Sequence, residues 1–186
     1  MQKRRVNLPA AAMLAVMMPM ALSAQRSAGA GGRIDVEEIQ VTADVNPRTQ
    51  SVAGKATIRL KAVDDRISTA TFELHDFTVK VTLDPPMAKG SERNIVIQYE
   101  GKLTGQEESP VYGIKFASLK PEYGFLMYPS RWFPVAGYTS DRYKSEFVIT
   151  VPAGYKVVSG GLDSAKEEGG KVVTTCSFPS QGFGGN

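Results

Sequence analysis

The chain has 186 residues, 42% hydrophobic and 22% charged, with 22 Lys/Arg, 19 Asp/Glu and a single His. That length allows one domain, or one domain with a tail, and that composition excludes a disordered chain. Eighteen Gly and eleven Pro favour frequent turns, and so an all-β chain.

Residues 1–24, MQKRRVNLPAAAMLAVMMPMALSA, open with Lys3, Arg4 and Arg5, continue as an apolar run rich in Ala, Met and Leu, and end in small residues. This is the pattern of a secretory signal peptide, so export to the periplasm or the cell exterior is expected. Cleavage is expected after Ala24, with Ala28-Gly29-Ala30 as a second position. The alternative is an uncleaved membrane anchor, although Pro9 and Pro19 interrupt the run and it is short for a span of roughly 20 residues. The segment holds three Lys/Arg and no acid, which leaves 19 basic and 19 acidic residues beyond it. A balance near zero indicates no basic face, and nucleic acid is not an expected partner. Cys176 is the single cysteine, so no internal disulfide can form.

Residues 25–32, QRSAGAGG, read as a flexible leader, and the β-domain is expected over 33–186. From Arg33 onward apolar residues recur with period two. Ile34 and Val36 share one face; the phase slips at Glu37-Glu38, and Ile39, Val41, Ala43 and Val45 continue in the other phase. Such a slip predicts a β-bulge. A turn at 46–50 leads to Ala56, Ile58, Leu60 and Ala62, completing a hairpin. Ala70, Phe72 and Leu74 alternate on even positions, then Phe77, Val79, Val81 and Leu83 on odd ones. Residues 84–91 read as a turn or loop. Ile95, Ile97 and Tyr99 mark another strand, and 104–113 a loop. Tyr143, Phe147, Ile149 and Val151 alternate cleanly. Residues 152–161 read as a turn into a short strand, 163–170 as a polar hairpin loop, and Val172, Thr174, Cys176 and Phe178 as the last strand. About eight or nine strands follow, and the expected architecture is an antiparallel sheet or sandwich.

Residues suited to catalysis are scarce. His75 cannot build a zinc site or a catalytic triad alone, and it reads as a solvated strand end. Cys176 lies in phase with Val172 and Phe178, which predicts a buried, inert thiol. The Gly-rich stretches lack phosphate-loop spacing, and the acidic loops lack calcium-ligand spacing. No cofactor is expected in this chain.

The stretch YPSRWFPVAGYTSDRYKSEFVITVPAGYKVVSGG, residues 128–161, resembles the N-terminal β-domain of the zinc aminopeptidase N family. The shared pattern is Arg131, then Phe133-Pro134, an Asp-containing loop at Asp141, the strand YKSEFVITVP and then GYKVVSGG. Upstream, IQVTADVNPRTQSVAGKATIRLKAVDD is similar to the family's opening hairpin, and NIVIQYEGKL to its Y-x-G-x-L strand. The likeness covers almost all of residues 34–178.

The resemblance implies a saddle-like β-domain that packs beside a thermolysin-like catalytic domain carrying HExxH and GxMEN. Neither motif is in this chain, so zinc is expected only in that missing domain and the chain alone is expected to be inactive. The family's Thr-Gln-x-Glu motif, which holds the substrate amine, is matched here by Tyr123-Gly124-Phe125-Leu126, so no substrate residue carries over. Relatives also have further strands between the segments that abut at His75 and Asp76. In the family reading residues 123–138 face the catalytic domain, with Tyr128, Arg131, Trp132 and Tyr138 as candidate interdomain or partner contacts. The other reading places Trp132 and Phe133 in the core. The chain is thus expected to be the non-catalytic N-terminal domain, or a truncated product, of an exported aminopeptidase N-like metallopeptidase. The alternative is a stand-alone secreted β-sandwich that binds a peptide or protein partner. A membrane association is expected only if the signal segment stays uncleaved.

Overall fold

A computed structural model describes residues 32–75, 77–104, 117–137 and 142–179. The signal segment and most of the leader therefore lie outside the described residues. Ten strands are seen among them: β1 (Ile34–Asn46), β2 (Ser51–Ala62), β3 (Ile67–Leu74), β4 (Phe77–Met87), β5 (Glu92–Lys102), β6 (Ala117–Leu119), β7 (Gly124–Leu126), β8 (Lys144–Pro152), β9 (Leu162–Glu168) and β10 (Lys171–Phe178). A 3-10 turn spans Pro129–Arg131. No α-helix is present among the described residues.

Six strands form the main sheet in the order β5-β2-β1-β8-β10-β9. Its centre is the hairpin that the alternation predicts, with Ile39 opposite Ile58 and Val41 opposite Ala56. The register shifts between Val36 and Glu38, so the bulge falls where the apolar phase slips. Asn46 holds the connecting turn, its Oδ1 accepting the N–H groups of Arg48 (3.1 Å) and Thr49 (3.3 Å). This is the local side-chain bonding that favours Asn at such corners. The antiparallel expectation holds for every pair of this sheet but one: β1 and β8 run parallel, with Val41 opposite Phe147.

One face of the sheet is buried and the other is wet. Ile39, Val41, Ala43, Ile58, Leu60 and Phe147 are buried, whereas Gln40, Thr42, Asp44, Asn94 and Gln98 are exposed. Two small sheets, β3-β4 and β6-β7, and the segment from Trp132 to Ala136 add to the core. β3 contributes Ile67, Ala70 and Phe72, and β4 contributes Leu83 and Met87. Burying each large side chain of this kind contributes about 1.5–3 kcal/mol, and the two faces do so together.

Three local expectations change. Residues 84–87 continue β4 as far as Met87, through a cis Asp84-Pro85 bond, rather than forming a loop. The 152–161 segment, expected to turn into a short strand, forms no strand over 155–159. Residues 163–170, expected as a loop, hold strand β9 instead; its hairpin with β10 turns at Gly169 and Gly170, with φ of +57° and +73°. Two consecutive positive φ values suit a tight hairpin and suit glycine. The phase change at His75 is also a hairpin: Leu74 faces Phe77 across the turn, and His75 takes a φ of +56°.

Candidate interdomain surface

The aromatic stretch singled out in the sequence is folded back onto the core by its own backbone. Pro129 opens the 3-10 turn, where its fixed φ fits and its missing N–H costs nothing. The Pro129 carbonyl accepts the N–H groups of both Trp132 and Phe133 at 3.0 Å. Downstream, Val135 and Glu73 exchange backbone hydrogen bonds of 3.0 and 2.8 Å, and the His75 N–H donates to the Ser130 carbonyl. The stretch is thereby attached along β3.

This geometry decides between the two readings of Trp132. Its ring lies 4.8 Å from Phe133 at 77° and 5.3 Å from Phe147 on β8, and Phe133 meets Phe147 at 5.2 Å. Trp132 is 7% exposed and Phe133 fully buried. Edge-on packing of this kind stabilises beyond area burial alone, by about 0.5–1.5 kcal/mol per pair. Trp132 is therefore a core residue. Tyr128 and Arg131 are half-buried at the two ends of the turn, and both make further contacts. Tyr138 lies outside the described residues. The large exposed apolar side chains nearby in sequence are Tyr123 and Met127, on either side of β7.

A cleft of about 220 Å³ opens beside the turn, lined among others by Val52, Leu74, Phe77, Tyr99, Leu103 and Trp132. Lys102, Glu100 and Arg131 add charge. Phe77 is 72% exposed. The Tyr99 ring lies over Gly54, where a Cβ would sit 2.3 Å from it. Glycine at 54 is what allows that approach. Burial raises the Tyr99 pKa, and its hydroxyl has no hydrogen-bond partner among the described residues. The sequence placed Tyr99 on one strand face with Ile95 and Ile97 but carried no sign of this cleft, because Phe77, Leu103 and Trp132 come from three distant segments.

The remaining reactive groups stay apart. Cys176 is buried, and burial pushes its thiol up. His75 sits on the β3–β4 turn. Among the described residues no three His, Cys, Asp or Glu side chains gather where they could hold a metal. The zinc implied by the resemblance therefore finds no fitting donor set in the described part of this chain.

No protein-family model matches the chain, and no curated protein matches its sequence. Solved structures do match. An M1 zinc metallopeptidase from Deinococcus radiodurans is similar at TM-score 0.62 and 21% identity, covering 79% of this chain and 39% of that one. A mutant of the M1 zinc metallopeptidase from the same organism aligns at TM-score 0.65 and 19% identity, over 80% of this chain and 39% of its own. A two-domain M1 zinc metallopeptidase mutant bound to L-arginine aligns at TM-score 0.63 and 19% identity, over 82% and 42%. The chain thus spans about two fifths of the length of these structures. Its open, almost wholly β architecture is the fold of the N-terminal domain of M1 zinc metallopeptidases.

Proposed function

We propose that this chain serves as the non-catalytic N-terminal domain of an exported aminopeptidase N-like zinc metallopeptidase, packing against and capping a catalytic domain. The observation that carries this reading is the coverage: the match takes in 80% of this chain but only 39% of the metallopeptidase. Tyr128 and Arg131, at the ends of a turn fixed to the core, are the contacts we assign to that partner. A turn fixed to the core offers them with little further backbone ordering cost. The test is the reading frame beyond codon 186. Codons for HExxH in frame support the proposal, and a natural stop after Asn186 with an abundant folded product contradicts it.

Export rests on the basic start and apolar run of residues 1–24. N-terminal sequencing of the mature protein should begin near Gln25 or Gly31; an intact Met1 on membrane-extracted protein contradicts processing. The purified chain should bind no stoichiometric zinc and hydrolyse no aminoacyl-anilide, which metal analysis and a chelator-controlled assay check. The cleft beneath Tyr99 favours a second reading, a secreted binding module. A stop codon after Asn186 together with saturable peptide binding at the cleft would select it.

A further inference from the structure

The outer edge of β5 has a defined hydrogen-bonding register. At one end of its ladder the Leu103 N–H donates to the Gln50 carbonyl at 2.8 Å; at the other the Ala62 N–H donates to the Ser91 carbonyl at 2.9 Å. Between them the β2–β5 register runs unbroken from Ser51↔Lys102 to Lys61↔Glu92. Antiparallel ladders alternate bonded and non-bonded pairs. The odd-numbered residues of β5 therefore bond to β2. The even-numbered residues direct their N–H and C=O groups away from it, to the edge of the sheet.

Among the described residues, the middle of that edge lacks the usual protection. β5 is 11 residues long, and its middle, Asn94 to Tyr99, reads Asn-Ile-Val-Ile-Gln-Tyr with no charge and no proline. Edges are normally blunted by charge, proline, bulges or short length. Val96 is 55% exposed on the outer face, and Ile97 and Tyr99 are only half-buried on the inner one.

We propose that the open edge of β5 pairs antiparallel with β5 of a second copy of this chain, about a two-fold axis at Ile97. Opposed residues in an antiparallel pair point to the same face. This register joins the inner faces, with Ile97 on Ile97 and Ile95 on Tyr99 of the second copy. On the outer face Val96 meets Gln98, and Glu92 meets Lys102, at both ends of the pair. Of the two neighbouring two-fold registers, the one centred at Val96 would set Glu92 against Glu100, a like-charge contact, and the one centred at Gln98 would set Val96 against Glu100 and Lys102 against Asn94. Of the three, only the centre at Ile97 pairs Glu92 with Lys102, and charge favours it for that reason. Both partners have capacity: the Glu92 side chain is 49% exposed and lies 3.5 Å from Arg59, while Lys102 gives one hydrogen bond to the Thr49 carbonyl and has three donors.

Sedimentation equilibrium of the purified chain tests the pairing. The chain should be dimeric, and Val96→Pro should be monomeric with an unchanged circular-dichroism spectrum. That proline removes an edge-facing N–H and leaves the β2 ladder whole, and an edge strand tolerates it. Glu92→Lys and Lys102→Glu should each weaken the dimer about tenfold, from two lost ion pairs. The double variant should restore it, which keeps the test decisive if Val96→Pro fails to fold. A monomeric parent chain, a folded Val96→Pro that still dimerises, or a double variant no better than the singles would overturn the proposal.

Discussion

The two ends of the main sheet solve opposite problems. At the β5 end the inner face is largely covered: Ile95 and Leu103 are buried, and Tyr99 shares the lining of one cleft with Trp132 and Phe77. At the β9 end every one of the seven residues is exposed. β9 is held by its ladder to β10 and by the Ser159 hydroxyl, which donates to Asp163 at 2.5 Å. Yet β9 carries Asp163, Lys166, Glu167 and Glu168, whereas the middle of β5 carries no charge. The uncovered strand guards its edge with charge, and the covered strand leaves its edge open. Burial of a strand and protection of its edge are thus separate properties, and this sheet assigns them to opposite ends.

The largest expected effect contrasts covered and uncovered leucines. Leu60→Ala on β2, fully buried, should cost about 2–5 kcal/mol of unfolding free energy. Leu162→Ala on β9, 75% exposed, should stay within about 0.5 kcal/mol. Urea titration measures both, and equal losses would break the contrast. Next comes Gly54→Ala, whose Cβ would meet the Tyr99 ring at 2.3 Å. It should destabilise by about 1–3 kcal/mol through overpacking. Combined with Tyr99→Ala, the loss should be less than the sum of the two singles, because the clash is gone. A simple sum would mean that the ring gives way freely.

Removing charge from β9 should change association more than stability. Lys166 and Glu168 form an exposed ion pair of 2.8 Å, a kind that contributes about 0–1 kcal/mol. Lys166→Val with Glu168→Val should therefore leave the urea midpoint almost unchanged but raise light scattering, as a second edge loses two of its four charges. No increase in scattering would show that charge is not what protects β9. The smallest effect is a pH dependence. Asp64 takes hydrogen bonds from the Arg33 side chain and backbone, which lower its pKa from 3.8 to about 2. Its folded value is depressed, so its stabilisation is present above about pH 4 and is lost as the pH falls through about 2. Both groups are solvent-exposed, so the effect is small. Asp64→Asn should flatten that part of the acid-unfolding curve.

What was legible in the sequence was local. The β1–β2 hairpin, its bulge at Glu37 and the strands through Ile97 and Phe147 follow from period-two alternation, because one face of each is buried. β9 left no such trace, since Leu162–Glu168 buries neither face. Its signal was the Gly169-Gly170 turn, read as part of a polar hairpin loop that took in the strand itself. The parallel β1–β8 contact joins segments about a hundred residues apart, and nothing local specifies it. Trp132 was ambiguous for a chemical reason: an aromatic ring serves a core and an interface equally well. Only the 3-10 turn and the Glu73–Val135 bridge, which set its direction, decide it. The cleft was illegible because its walls meet only in the folded chain.

The contrast between the two edges is tested most directly by amide hydrogen exchange, read residue by residue on β5 as protein concentration is varied. Odd-numbered amides of β5, bonded to β2, should be protected at every concentration. The amides of Asn94, Val96 and Gln98 should be protected in concentrated solution and exchange rapidly on dilution. Fast exchange of these three at all concentrations, or protection that ignores dilution, would contradict an open edge that pairs with a second copy.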